Sequence, residues 1–173
     1  MANLVPERLN DFRVYKDGGH LVGVADLQLP SFEAMTETVR GAGIAGEYES
    51  PNIGHFQSMK LTLNWRILNE NFASVMAPEV MSFDCRGANQ VLDAASGVYS
   101  QVPCRVFVRG VPTKNDPGKM EKGSPYDGST EFEVSYIKID INGKTLVELD
   151  KLNYKYVVNG TDYLAGVRKA LGM

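Results

Sequence analysis

The chain has 173 residues, of which 43% are hydrophobic and 23% charged, with a net charge of −3. That is enough chain for one domain with a proper core, and it is too apolar for disorder. The charge balance argues against a protein that grips nucleic acid, and the longest apolar runs are too short to span a bilayer, so stable membrane insertion is not expected.

A single domain over residues 1–173 is expected, because no linker divides the chain. The N-terminal run Met1-Ala2-Asn3-Leu4-Val5-Pro6-Glu7-Arg8 lacks the basic and apolar regions of a signal peptide, so synthesis and assembly in the cytoplasm are expected. Phe12-Arg13-Val14-Tyr15 reads as a strand that runs into a turn at Asp17-Gly18-Gly19. A second strand follows from His20 to Leu29, and Pro30 closes it.

Arg40-Gly41-Ala42-Gly43-Ile44-Ala45-Gly46-Glu47 spells G-x-G-x-x-G, the spacing of a dinucleotide-binding turn. That turn must leave a buried strand directly and open a helix whose N–H groups hold pyrophosphate. Here the preceding strand closes well before Gly41, Pro51 stops any helix, and no acidic residue lies between Ser50 and Asn69. The stretch reads instead as a flexible loop in which small residues allow another backbone to approach.

Residues 57–65 alternate. Gln57, Met59, Leu61, Leu63 and Trp65 share one face, and Ser58, Lys60, Thr62 and Asn64 the other, as in a strand with one dry and one wet side. Leu68 to Ala77 reads as a short helix with Leu68, Phe72, Val75 and Met76 on one face, ended by Pro78. Val80 to Arg86 and Val102 to Arg109 read as strands, with Pro103 confined to a strand start or edge. Pro112 to Ser129 reads as a long polar loop.

Thr130 to Ile141 is a long alternating strand. Asn142-Gly143 is the strongest two-residue hairpin signal, and Lys144 to Val158 is its partner strand. Asn159-Gly160 makes a second turn. Thr161 or Asp162 then caps a final helix with an apolar stripe of Leu164, Val167 and Leu171, so Leu171→Asp is expected to destabilise the fold.

Cys85 and Cys104 are too few for a disulfide framework and read as small buried hydrophobes. His20 and His55 have no ligand spacing to them, so no metal site is expected. No carboxylate pair and no nucleophile with a base stands out. No catalytic residue and no cofactor is assigned.

Tyr136-Ile-Lys-Ile-Asp-Ile-Asn-Gly-Lys-Thr-Leu-Val-Glu-Leu-Asp150, then Val158-Asn-Gly-Thr-Asp-Tyr-Leu and a terminal Leu-Gly-Met, resemble the end of the major tail tube proteins of contractile-tailed phages and related R-type bacteriocins (tailocins). The strand pair near Tyr15 and Gly23, Leu29-Pro30 and Arg40-Gly41-Ala42-Gly43 follow in the same order. Residues 77–126 carry no part of the resemblance.

The resemblance implies a structural protein and not an enzyme. The expected fold is mainly β, a sandwich or small barrel with one flanking helix and a short C-terminal helix. Six subunits would form a ring, their strands joined in one continuous lumen-lining barrel, and rings would stack into the tube of a contractile tail. The implied partners are further copies of the chain, a sheath protein, a tape measure protein and a baseplate tube initiator. DNA would pass through without specific binding, or the tube would pierce a target envelope. The implied location is a virion tail or tailocin particle assembled in the bacterial host cytoplasm.

The lumen-facing candidates are Ser58, Lys60, Thr62 and Asn64, with Glu131 and Glu133 from the long strand, whose charge would repel phosphates. A wet face of this kind fits a lumen, plain solvent or the rim of another sheet. Arg40, Gly41, Ala42, Gly43, Ile44 and Gly46 are the candidate contact loop between rings. Segments 33–55 and 112–129 are expected to be mobile in the free subunit and ordered on assembly. A secretion-system tube of the type VI kind keeps the same architecture. A second class of reading is a small monomeric β-barrel, carrier or enzyme, with an internal ligand pocket.

Overall fold

The computed structural model describes residues 3–24 and 26–173. β1 (Leu4–Lys16) turns at Asp17-Gly18-Gly19 into β2 (His20–Val22). The single strand expected over 20–29 is broken, because β3 (Asp26–Gln28) pairs with β6 (Lys60–Trp65) and not with β1. The chain changes sheets there.

The span expected as a loop around the glycines is a regular hairpin. β4 (Ala34–Arg40) pairs with β5 (Glu47–Phe56), and only residues 41–46 form its tip. The two strands form a sheet of their own. Both faces of this ribbon stay largely exposed, so it carries no dry-and-wet alternation for the sequence to display.

After β6 comes α1 (Glu70–Ser74), shorter than expected, with the Asn69 side chain accepting from the Phe72 N–H at its start. Phe72 and Val75 are buried, while Leu68 and Met76 are exposed. Next come β7 (Met81–Asp93), β8 (Val98–Asp116), β9 (Gly128–Ile141), β10 (Lys144–Asp150), β11 (Lys155–Val158) and β12 (Thr161–Asp162), and then α2 (Ala165–Leu171). Both Asn-Gly turns are present, with all four residues at positive φ.

The main sheet runs β12-β11-β10-β9-β8-β7-β1-β2, and β9 also pairs with β6. β9 is the hinge of the fold. Its first half, from Gly128 to Glu133, pairs with β6, and its second half, from Tyr136 to Ile141, pairs with β10 along the same edge. The switch falls at Ser135. The Val134 N–H donates to the Met59 carbonyl at 2.8 Å, and the Lys151 N–H to the Ser135 carbonyl at 3.0 Å. The bend folds a short sheet, β3-β6-β9-β8, over the long one. Between them lie Met59, Leu61, Leu63, Trp65, Phe83, Val108, Phe132, Val134, Ile137 and Leu149, all at most 1% exposed.

The bend requires a close approach at Gly110. A Cβ there would lie 2.6 Å from the Glu133 carbonyl oxygen. Gly110→Ala is expected to cost about 1–3 kcal/mol, the usual range for forced overpacking. Chemical denaturation measures it, and an unchanged midpoint would contradict the close approach.

Several expectations are corrected by this fold. β8 continues to Asp116, so the loop is 117–127 and not 112–129. A turn at Lys151–Tyr154 divides the partner strand expected over 144–158 into β10 and β11. Pro103 sits inside β8 and not at its start, but its carbonyl accepts from the Asn142 N–H. Nitrogen and carbonyl of an extended residue point to the same side, so the missing donor faces the flank where β9 has already turned.

The α2 stripe is the largest correction. Leu164 is buried, and a Cβ on Gly54 would strike its side chain at 2.7 Å, but Val167 and Leu171 are exposed, Leu171 at 58%. This two-turn helix at the end of a sheet is anchored only by its N-cap residue, and none of its own residues is buried. Leu171→Asp is therefore expected to shift stability by no more than about 0.5 kcal/mol. No side chain caps α2 at its N-cap. Asp162 instead accepts the Leu164 N–H and bonds Arg168.

Candidate assembly surfaces

Alternation along β6 and the first half of β9 puts every second side chain outward, and the register brings the two outward rows side by side. Lys60 lies opposite Glu133, Thr62 opposite Glu131, and Asn64 opposite Ser129. The six candidates Ser58, Lys60, Thr62, Asn64, Glu131 and Glu133 thus occupy one outward face. Gln57 does not join the dry face and is exposed.

Those side chains are tied together. Lys60 Nζ donates to Glu131 at 3.0 Å, and Lys114 Nζ from β8 reaches the same carboxylate at 3.3 Å. Ser58 Oγ donates to Glu133, Lys151 Nζ lies 3.7 Å from it, and the Asn64 amide donates to Asp26. Hydrogen bonds from Lys60 and then Lys114 hold the Glu131 carboxyl below the usual carboxylate range. The face is thus not simply acidic, because three lysines answer its carboxylates. Lys114 and Lys151 could not be placed from the sequence, since both come from distant segments.

The opposite outward face, on β1, β7, β8, β9 and β10, carries arginines and aromatics. Asp84 on β7 is 3% exposed. It accepts from Arg86 at 2.7 and 2.9 Å and from Arg105 at 2.7 and 2.9 Å. Arg86 lies 4.7 Å over the Tyr15 ring and Arg109 4.9 Å over Tyr136, whose hydroxyl donates to Glu148 at 3.0 Å. Burial and the Glu148 contact raise the Tyr136 phenol to about 12. Asp84 and Arg86 stand two apart in a strand, which was the one sequence signal that could have found this pair.

Burial pushes the Asp84 carboxyl up, but the Arg105 and Arg86 hydrogen bonds outweigh it, and the net shift is down. The sign follows by linkage. The stabilisation is full above the unfolded carboxylate value of about 3.9 and is lost as pH falls through the lower folded value. Between about pH 4 and pH 2 the parent should therefore lose more stability than Asp84→Asn, as read by urea denaturation at each pH. Parallel losses would contradict the assignment.

The hairpin tip is exposed throughout, as are the residues on either side of it from Arg40 to Glu49. Gly41, Gly43 and Gly46 have positive φ, and a Cβ on any of them would meet nothing within 4 Å. Space inside the subunit does not explain the glycines. Ile44 stands among them at 37% exposure.

Aromatic and aliphatic side chains fill the space between the sheets, where the carrier reading expected a deep ligand pocket. An apolar cavity of about 300 Å³ lies at the margin instead, lined by residues that include Leu9, Phe12, Leu29 and Cys104. Cys85 is buried and Cys104 half-buried. Burial, then Asp84 and Cys104, raise the Cys85 thiol to about 12, which suits an inert packing group.

The comparisons agree with this architecture. The family model for phage tail tube protein FII matches residues 6–172. The tail tube protein of Escherichia phage P2 is 26% identical over 176 residues, covering 98% of this chain and 99% of that protein. The major tail tube protein of Serratia phage KSP20 is 24% identical, covering 98% of each. Among solved structures, a chain of the PVC extracellular contractile injection system, in its sheath/tube terminator in the extended state, superposes with a TM-score of 0.53. That match covers 79% of this chain and 97% of the other at 12% identity, and it speaks to the fold.

Proposed function

The chain belongs to the phage tail tube protein FII family, and from that premise we propose that six copies close into a ring with the β6–β9 polar face turned inward. It is a structural tail tube protein, part of a contractile tail or injection particle, and not an enzyme. The observation that carries the ring reading is the short sheet β3-β6-β9-β8. It has a polar outer face and unpaired edges on both flanks. Among the described residues, β8 pairs with β7 only as far as Gly110, which leaves one edge of Val111–Asp116 free, and β3 pairs only with β6. Exposed edges invite pairing, and ring closure removes them.

Six four-stranded sheets, with strands about 4.8 Å apart and tilted about 40°, give a backbone circle about 48 Å across. Side chains narrow that circle but leave a wide channel. The β4–β5 ribbon supports the same reading. A two-stranded hairpin is marginal alone, and this one exposes Met35, Tyr48 and Ile53. In a ring those side chains find cover on neighbouring copies, and the tip from Arg40 to Gly46 reaches the next ring. The outer wall, with its arginine and tyrosine side chains, then meets the sheath protein. A tape measure protein occupies the lumen, a baseplate initiator starts the tube, and assembly takes place in the host cytoplasm.

Electron microscopy of assembled particles is expected to show six-fold rings of this chain, and any other symmetry would overturn the proposal. The lumen assignment gives a further outcome. Glu131→Gln with Glu133→Gln leaves Lys60, Lys114 and Lys151 unanswered on each subunit. Tubes of that variant are expected to retain duplex DNA in a salt-dependent way, while parent tubes do not. Equal retention by both would count against an inward face.

A further inference from the structure

The short sheet ends in two free edges, and their direction, facing and charge fit each other. Along β3, β6, β9 and β8 every neighbouring pair is antiparallel, so β3 and the Val111–Asp116 part of β8 run in opposite senses. Rotation about a ring axis leaves the sense of a strand along that axis unchanged. The β8 edge of one copy therefore meets the β3 edge of the next as an antiparallel pair. An odd number of strands would have made that seam parallel. Among the described residues, neither edge has a strand partner within the subunit.

Facing then limits the register. Asp26 stands opposite Asn64 and Gln28 opposite Thr62, so both lie on the β6–β9 polar face. On β8, Lys114 stands opposite Glu131 and Asp116 opposite Ser129, on the same face. Residues opposite each other in a ladder share a face, so Asp26 can meet either Lys114 or Asp116. Asp116 would set two carboxylates directly opposite, which is destabilising, whereas Lys114 sets opposite charges there. Asp116 instead accepts the Gly118 N–H at 2.9 Å. The other two groups have capacity to spare. The Lys114 side chain is 60% exposed, and its bond to Glu131 on the inner flank leaves donors free. The Asp26 carboxylate accepts from Asn64 and keeps further lone pairs.

We propose that the Val111–Asp116 edge of each copy pairs antiparallel with the Asp26–Gln28 edge of the next copy in the ring, in the register that sets Lys114 opposite Asp26. The proposal rests on the ring reading and states which edges close the ring and how they align. One lysine at each seam then joins Glu131 of its own subunit to Asp26 of the next.

Within one subunit the two positions sit at opposite edges of the short sheet, about 14 Å apart at about 4.8 Å per strand. That is too far to couple, so a double-mutant cycle on assembly reads the contact between copies. Asp26→Asn and Lys114→Gln should each raise the protein concentration needed for rings, by up to about fivefold for an exposed pair. The double variant should raise it no further than Lys114→Gln alone. Effects that multiply, or no effect from either change, would overturn the register. Cross-linking gives a second reading. Asp26→Cys with Lys114→Cys is placed on a Cys104→Ala background, with Cys85 buried. In rings of this variant, copper–phenanthroline lets oxygen take two electrons and two protons from each pair of close thiols, which join as a disulfide. Opposite residues of an antiparallel pair have Cα atoms about 4.5–5.5 Å apart, within disulfide range. Non-reducing gels should show a ladder that stops at six copies, and Gln28→Cys with Lys114→Cys should show little of it. Rings without a ladder, or a ladder only from the second pair, would overturn the seam. Absence of rings from the parent protein would instead strike the six-fold reading.

Discussion

Phe132→Ala is expected to destabilise the subunit by about 3–5 kcal/mol, the range for losing a large aromatic from a packed core. Phe132 is fully buried on β9, edge-on to Phe83 with ring centroids 4.7 Å apart. It lies in the half of β9 that pairs with both β6 and β8, so a hole there loosens both sheets at once. The chain reports the result itself. Trp65 is the only tryptophan, is 1% exposed, and donates its indole N–H to Thr130 Oγ1 at 3.1 Å. Its emission should shift to longer wavelength on unfolding, and the urea midpoint of Phe132→Ala should fall well below that of the parent. A change under about 1 kcal/mol would mean that the bend is not built on this side chain.

Tyr48→Asp combined with Ile53→Asp is expected to leave the subunit folded and to abolish tube formation. Both side chains lie on β5 and are more than half exposed, Tyr48 at 54% and Ile53 at 64%. The free subunit therefore loses almost nothing when they change. If assembly buries both, each removal costs about 1.5–3 kcal/mol per copy. Two such losses raise the concentration needed for assembly by roughly a hundredfold or more, at about 1.4 kcal/mol per factor of ten. Sedimentation measures polymer, and thermal melting measures the subunit. Normal tubes from this variant would show that the ribbon faces solvent in the assembled state.

The regions where sequence and structure agree share a physical cause. The dry face of Met59, Leu61, Leu63 and Trp65 was legible because a strand buried on one side writes its environment in period two. The turns at Asp17-Gly18-Gly19, Asn142-Gly143 and Asn159-Gly160 were legible because positive φ restricts the residue choice. The lumen-facing candidates came out on one face for the same reason.

The β4–β5 ribbon was missed because a sheet with no buried face writes no pattern. The far end of β8 was missed because Pro112 and the charges of 114–116 read as loop, although an edge strand tolerates both. Beyond Leu164, the stripe on α2 followed the helical period yet found no surface to pack on, since periodicity marks a face and cannot supply its partner. The lysines that neutralise Glu131 and Glu133, and Arg105 beside Asp84, depend on registers between distant strands. No local signal records those. The glycine tip could be placed as a permissive turn, whereas the apolar groove is assembled from β1, β3, β7 and β8 and exists only in the fold.

The central claim is the direction of the β6–β9 face. A cryo-EM reconstruction of the assembled tube, at a resolution that shows side chains, tests it most directly. The expected map is a six-fold ring in which Ser58, Lys60, Thr62, Asn64, Glu131 and Glu133 line the channel and Arg105 and Tyr136 lie on the outer wall. A map with Lys60 and Glu131 on the outside would contradict it.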